Sequence, residues 1–165
     1  MKKRFFFAVI TVFFVACSEW FTPRVSHTEI TVDRLSIPFV YRHEGNRFNG
    51  IMEIRDKNIL LEEMYIKEGI KQGKHILYYP DQKTVKEERT YKDGVLHGPA
   101  LYYWPNGTLS QSHEFVEGRL GGKSLFYHRN GSLRLQMEFS PEGNKTGIWF
   151  EYDLKGNIIK ETKYN

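Results

Sequence analysis

A single cysteine, Cys17, stands in a chain of 165 residues. One thiol closes no internal disulfide, so a disulfide-stapled scaffold is excluded. Charge of one sign is also scarce. The 24 Lys and Arg against 20 Asp and Glu give +4, and three of the cations, Lys2, Lys3 and Arg4, precede an apolar leader run. Setting those three aside leaves 21 against 20, too little for the basic footprint of a nucleic-acid binder. There is no Gly-x-Ser-x-Gly and no phosphate-loop motif. Gly118 to Ser124 has the superficial look of a phosphate loop, but its glycines recur elsewhere in the chain at a fixed period, so architecture explains them. The chain has room for one ordinary domain, and its 15% aromatic content excludes wholesale disorder.

The apolar leader is Phe5 to Ala16, 12 residues without a charge. A bilayer-spanning helix needs about 20, so the run reads as the core of an export signal over residues 1–16. It ends in Phe14-Val15-Ala16-Cys17, which resembles the lipobox of bacterial lipoproteins, although Phe14 replaces the usual Leu-like residue. That resemblance implies diacylglycerol on Cys17 and cleavage before it. Two or three acyl chains, at about 0.8 kcal/mol per buried methylene, hold a protein on a membrane without a spanning helix. Ser18 and Glu19 put no Asp directly after the cysteine, which resembles an outer-membrane address in diderm envelopes. The mature chain then has no thiol for nucleophilic or metal chemistry.

All 14 glycines lie between Gly45 and Gly156, and most are periodic. The pairs Gly69/Gly73, Gly94/Gly98, Gly118/Gly122 and Gly143/Gly147 recur at steps of 25, 24 and 25. A fixed period of this length marks a repeat architecture. These eight glycines are expected to be structural, each Gly-x-x-x-Gly segment linking one hairpin to the next. A degraded unit precedes the four, from Tyr41 through Gly45 and Gly50 to Met64. Once the glycines are aligned, Tyr65, Tyr91, Phe115, Phe139 and Tyr164 form one aromatic column, with Ile59, Val85, Leu109, Leu133 and Ile158 six residues earlier. Tyr78, Tyr103, Tyr127 and Tyr152 form another, with Ile76, Leu101, Leu125 and Phe150 two residues earlier. Even spacings put each pair on one face of a strand. Pro105-Asn106-Gly107, Arg129-Asn130-Gly131 and Lys155-Gly156 separate the two strands of a unit, and Asn and Gly there are expected to supply positive φ.

The prediction is an all-β chain: an elongated, single-sheet antiparallel meander of about five 24-residue hairpins, roughly ten strands, over residues 41–165. Residues 17–40 read as a lipidated tether and N-terminal cap, in which Thr28 to Val32 adds an edge strand.

Tyr91-Lys-Asp-Gly94-Val-Leu-His-Gly98, followed by Leu101-Tyr-Tyr103 and Asn106-Gly107, resembles the MORN-repeat variant family of bacteria over residues 41–165. The copies depart from that pattern where Asp81-Gln82 replaces Asn-Gly and where the first unit shortens its hairpin. The resemblance implies a repeat protein that binds a membrane or a partner. Many bacterial members are filed as antitoxin or immunity-like proteins, which implies toxin neutralisation as the alternative.

No catalytic residue, metal ligand or cofactor is assigned. The six histidines, at 27, 43, 75, 97, 113 and 128, have no His-x-x-x-His spacing and read as solvated or strand-packed. Glu53, Glu62, Glu63, Glu87, Glu88, Glu114 and Glu138 read as the wet side of a sheet. An envelope hydrolase therefore lacks a catalytic constellation. The regular tyrosine columns read as the core of a thin sheet. Tyr79, Tyr102, Trp104, Phe126 and Trp149 break the column parity and are the candidate contact residues for a protein partner. The expected address is the bacterial cell envelope, with the lipid as anchor and no nucleic acid as partner.

Overall fold

The computed structural model describes residues 23–34, 38–81 and 83–165; Cys17 and the run before it lie outside these. Among the described residues fourteen strands form two sheets. Near the N-terminus are β1 (Arg24–Ser26), a 3-10 turn (His27–Glu29), β2 (Ile30–Asp33), β3 (Val40–His43) and β4 (Asn46–Arg47). The repeats supply β5 (Gly50–Asp56), β6 (Ile59–Lys67), β7 (Ile70–Tyr78), β8 (Val85–Lys92) and β9 (Val95–Tyr103). They continue with β10 (Leu109–Val116), β11 (Arg119–Tyr127), β12 (Leu133–Phe139), β13 (Lys145–Tyr152) and β14 (Ile158–Tyr164). Strands β5 to β14 follow one another in a single antiparallel meander, as the repeat predicts, and β1 adds a parallel edge on β5. The sheet is open, with β14 as its far edge.

Strands β2, β3 and β4 form the smaller sheet, which packs on one face of the large one. Thr28 to Val32 therefore does not extend the sheet edge as expected. Its strand pairs with β3, and Arg24–Ser26 takes the edge instead. Ile30, Tyr41 and Phe48 bury against Met52, Met64 and Ile66, and this is the apolar core of the described residues. The face carrying the small sheet is called here the capped face. Arg24 pins β1 from the opposite face, through Glu53 at 2.7 Å and Glu63 at 3.0 Å.

The first glycine of each pair sits in a turn between strands. Glu68-Gly69, Asp93-Gly94 and Glu117-Gly118 are two-residue turns with both φ positive, 51° and 81° in the second and 48° and 81° in the third. This is the type I′ turn, whose twist matches that of the flanking strands. Gly143 closes a longer turn, in which its N–H donates to the Ser140 carbonyl. Gly107 and Gly131 also have positive φ, but Asn106 and Asn130 do not. Their side chains work instead as turn acceptors, Asn106 Oδ1 from the Thr108 N–H and Asn130 Oδ1 from the Ser132 N–H.

The second glycine of each pair is not part of a link, contrary to the expectation from the spacing. Gly73, Gly98, Gly122 and Gly147 lie inside β7, β9, β11 and β13. Each falls in a bulge against the preceding strand, where residues 72–74 oppose Tyr65, 97–99 oppose Thr90, 121–123 oppose Glu114 and 147–149 oppose Met137. A two-residue turn needs only the first glycine; the second supplies the positive φ, 71°, 89°, 99° and 68°, that lets the strand take up the extra residues. Two extra residues leave side-chain parity unchanged. Space is closest at Gly122 and Gly147, where an added Cβ meets Glu114 Cβ at 3.2 Å and Glu138 Oε2 at 2.9 Å; at Gly73 it meets only Tyr65 Cδ1 at 3.9 Å.

The hairpin tips stack one unit on the next. The Gly94 N–H donates to the Lys71 carbonyl and the Gly118 N–H to the Leu96 carbonyl. Beside them Asn49 Oδ1, Gln72 Oε1 and His97 Nδ1 accept from the N–H groups of Glu68, Asp93 and Glu117. Gly121 stands at the next position of that side-chain row. A Cβ there meets Val116 at 3.0 Å and the Pro141 backbone at 3.3 Å, because the following turn carries one residue more.

A second kind of register irregularity recurs near the other end of the strands: Leu77/Tyr78, Leu109/Gln111, Phe126/Tyr127 and Glu151/Tyr152. Each inserts one residue into one strand and reverses side-chain parity. The six-residue columns consequently change faces. Val85, Leu109, Leu133 and Ile158 pair with Tyr78, Tyr103, Tyr127 and Tyr152, away from the Tyr91 column. Tyr65 also leaves its predicted column. Ile66, fully buried, occupies the capped-face place, and Tyr65 is exposed on the other side.

Candidate functional site

From β8 onward each strand contacts chiefly its two sheet neighbours, and among the described residues nothing covers either face beyond the segment Pro38 to Tyr41 beside Tyr91 and the Gly94 turn. The buried side chains there are Glu87, Ala100, Ser110, His113 and Ser124, all small or polar. No large apolar side chain from Val85 on is buried among the described residues. The expected tyrosine core is therefore a half-exposed surface. A one-layer sheet has two faces and nothing to bury them against.

On the capped face, directly paired residues run across the strands as His75, Arg89, Ala100, His113, Ser124 and Met137. Ala100 and Ser124 leave a low centre between rows of rings. His113 fills part of it, with its ring 5.6 Å from Tyr102, 5.2 Å from Phe126 and 6.4 Å from Phe115. Its Nε2 lies 3.1 Å from Gln111 Oε1, while its Nδ1 and the Ser124 hydroxyl are buried without partners among the described residues. Burial holds the His113 pKa below the usual histidine value. Tyr102 and Phe126, two of the candidate contact residues, thus share one cluster around a neutral histidine.

The other three candidates lie elsewhere. Tyr79 follows the last residue of β7, and its hydroxyl donates to the Tyr103 carbonyl at 2.8 Å. Trp104 occupies the same place one unit on, under the Arg129 guanidinium at 5.2 Å from its ring centre. Its indole N–H is buried without a partner among the described residues. Trp149 sits far along the sheet between Phe139 and Tyr164, with ring centres 5.4 and 4.4 Å away. Its N–H donates to the Glu138 carbonyl, and Lys145 Nζ lies 4.9 Å from its ring centre. Tyr79 braces one unit against the next, and Trp149 braces β13 against β12 and β14. All five candidates are half-buried.

The opposite face carries what the sequence reading missed as a surface. Tyr78, Tyr103, Tyr127 and Tyr152 alternate there with Ile76, Leu101, Leu125 and Phe150, and pair with Val85, Leu109, Leu133 and Ile158. Together these make an apolar stripe of three side chains per unit along four units. At its start the Tyr78 hydroxyl donates to Glu63 Oε1 at 3.0 Å, and burial followed by that carboxylate pushes the phenol up to about 12. Ile148 and Ile158 extend the apolar surface at the far edge, both 40% exposed or more. The signal was present in the even spacing of the columns; what was missing was the absence of a covering layer.

The histidines do not converge. His43 faces Glu29 at 3.5 Å, His75 faces Glu62 at 2.9 Å and His128 Nε2 donates to the Tyr152 carbonyl at 3.3 Å. Among the described residues no group of three His, Cys, Asp or Glu side chains is placed to hold a metal. Glu87 departs from the expected wet face. It is buried on the capped face and paired with Arg89 Nε.

No curated protein matches the sequence. The family described as MORN repeat variant matches residues 96–117, 120–140 and 145–165, which makes the last three units of the sheet MORN-variant repeats.

Proposed function

We propose that this protein is a membrane-anchored, non-enzymatic repeat lipoprotein of the bacterial envelope that binds a protein through the uncovered faces of its sheet. The observation that carries the reading is the one-layer sheet from β8 to β14. Its aromatic and aliphatic side chains are ordered by the strands yet only half-buried, and a contiguous apolar surface of this kind marks an interaction site. The side chains are held by neighbours on both flanks, so docking costs them little further rotamer entropy. The MORN-variant match supports a binding role. Cys17 at the end of the apolar run supports the anchor.

The test is photo-crosslinking in cells with a crosslinking residue at Leu101 or Leu125 on the opposite face, Tyr102 or Phe126 on the capped face, and Asn106 in a turn. One protein adduct shared by the two positions of a face, and absent from Asn106, is expected. Adducts no different from those at Asn106 would remove the binding reading. Cys17→Ser, followed by radiolabelled palmitate incorporation and membrane fractionation, tests the anchor separately; retained label and retained membrane association would refute it.

A further inference from the structure

A pocket of about 250 Å³ opens on the capped face where the small sheet meets the repeats, lined by Pro38, Phe39, Tyr41, Lys71, Tyr91 and Gly94. It is built by backbone. The Tyr41 N–H donates to the Gly69 carbonyl, and the Gly94 N–H to the Lys71 carbonyl. Gly94 lets the wall close, since a Cβ there falls 2.4 Å from Pro38 Cβ. Lys71 is the one charged residue among the described lining residues. Its Nζ lies 5.0 Å from the Tyr91 ring centre, and it has no hydrogen bond or ion pair to a described residue. Burial pushes its pKa down, with nearby Glu62 opposing and Arg89 assisting.

Tyr41 is 7% exposed, and its hydroxyl has no hydrogen bond among the described residues. Burial raises its pKa, so the phenol stays protonated and available to donate. Glu62, whose charge acts on both Lys71 and Tyr41, is already engaged by His75 Nε2 at 2.9 Å. A half-desolvated ammonium without a counter-ion is unfavourable, and an anion placed beside it removes the deficit.

We propose that this pocket binds a small carboxylate with a planar or apolar body. Lys71 and the Tyr41 hydroxyl receive the carboxylate, and Phe39, Pro38 and the Tyr91 ring receive the body. The volume falls below the roughly 300–1,000 Å³ of sites for drug-sized ligands, which restricts the occupant to a small molecule. The proposal is independent of the sheet-face reading, because neither the apolar stripe nor the His113 cluster lines this pocket.

The experiment uses the full chain in detergent with benzoate as probe and benzamide as its neutral counterpart. Saturation-transfer NMR gives the two affinities. Modification by trinitrobenzenesulfonate, mapped by peptide mass spectrometry, reads Lys71 directly. Benzoate is expected to bind at least tenfold tighter than benzamide and to slow modification of Lys71 severalfold. Lys74, which pairs with Glu88 on the other face at 2.7 Å, keeps its rate. Lys71→Met is expected to lose the preference and Lys71→Arg to keep it. The wild-type comparison stands even if Lys71→Met folds poorly. Equal affinity for the two probes, no benzoate binding up to 20 mM, or equal effects on Lys71 and Lys74 would overturn the assignment.

Discussion

The Tyr79 hydroxyl donates a 2.8 Å hydrogen bond to the backbone carbonyl of Tyr103, one full unit along the sheet. His128 makes the same bridge to Tyr152, also 24 residues on. In a repeat protein stability is the sum of units and their interfaces, so a bond that crosses units adds to the second term. Tyr79→Phe removes only the hydroxyl and is expected to cost about 1 kcal/mol, the net value of one such bond. A thermal melt with no shift would mean that the bridge is compensated by water.

Trp149 is expected to behave as a brace and not as a free contact residue. Its ring fills the space between Phe139 and Tyr164, and its N–H reaches the Glu138 carbonyl. Trp149→Ala should fray β14, raising amide exchange from Ile158 to Tyr164 while leaving β5 to β9 protected. Exchange that is unchanged in β14 would return Trp149 to the list of purely exposed contacts. For Tyr103, half-buried on an uncovered face, truncation to Ala should cost about 2 kcal/mol, below the roughly 3–5 kcal/mol of a buried aromatic.

These two residues show what was legible in the sequence. The glycine period gave the hairpins, their number and their antiparallel order, because each turn needs positive φ at a fixed interval. It did not separate a turn glycine such as Gly118 from a bulge glycine such as Gly122, since both need the same backbone freedom and only strand pairing tells them apart. Face assignments failed where the one-residue insertions Lys86, Ser110, Arg134 and Ile159 reversed parity, since a bulge keeps the apolar count and changes only its direction. The Lys71 pocket was not legible at all. It depends on Tyr41, which lies in the small sheet and not in a repeat hairpin, and on Pro38 just before it, and no glycine spacing encodes that contact.

Gly94 and Gly118 have the same φ, +81°, and different neighbours. An added Cβ at Gly118 meets only Val95 Cγ1 at 3.5 Å, an ordinary contact, whereas at Gly94 it meets Pro38 at 2.4 Å. Gly118→Ala should therefore carry backbone strain alone, about 1–2 kcal/mol. Gly94→Ala should lose more and also displace Pro38. Equal losses, measured by denaturant midpoints at constant slope, would show that the N-terminal segment does not pack on this turn.

Acid should loosen the sheet before its carboxylates titrate. His113 is buried among Tyr102, Phe115 and Phe126, and burial lowers its pKa from 6.5; His75 is lowered too, by burial first and by Lys71 second, with Glu62 opposing. A group whose folded pKa is depressed binds more protons when unfolded. Its contribution is fully present above pH 6.5 and is lost as pH falls from there through the lowered folded value. Glu53, held below 4.5 through its bonds to Arg24 and Arg55 against the cost of its burial, acts in the same direction but only at lower pH. Stability should thus be flat from about pH 8 to 7 and fall between about pH 6.5 and 5. His113→Phe keeps a ring among the rings and removes the titration, so its stability should fall less steeply over that window. A variant with the wild-type slope would assign the proton uptake to His75 and leave His113 without a part in it.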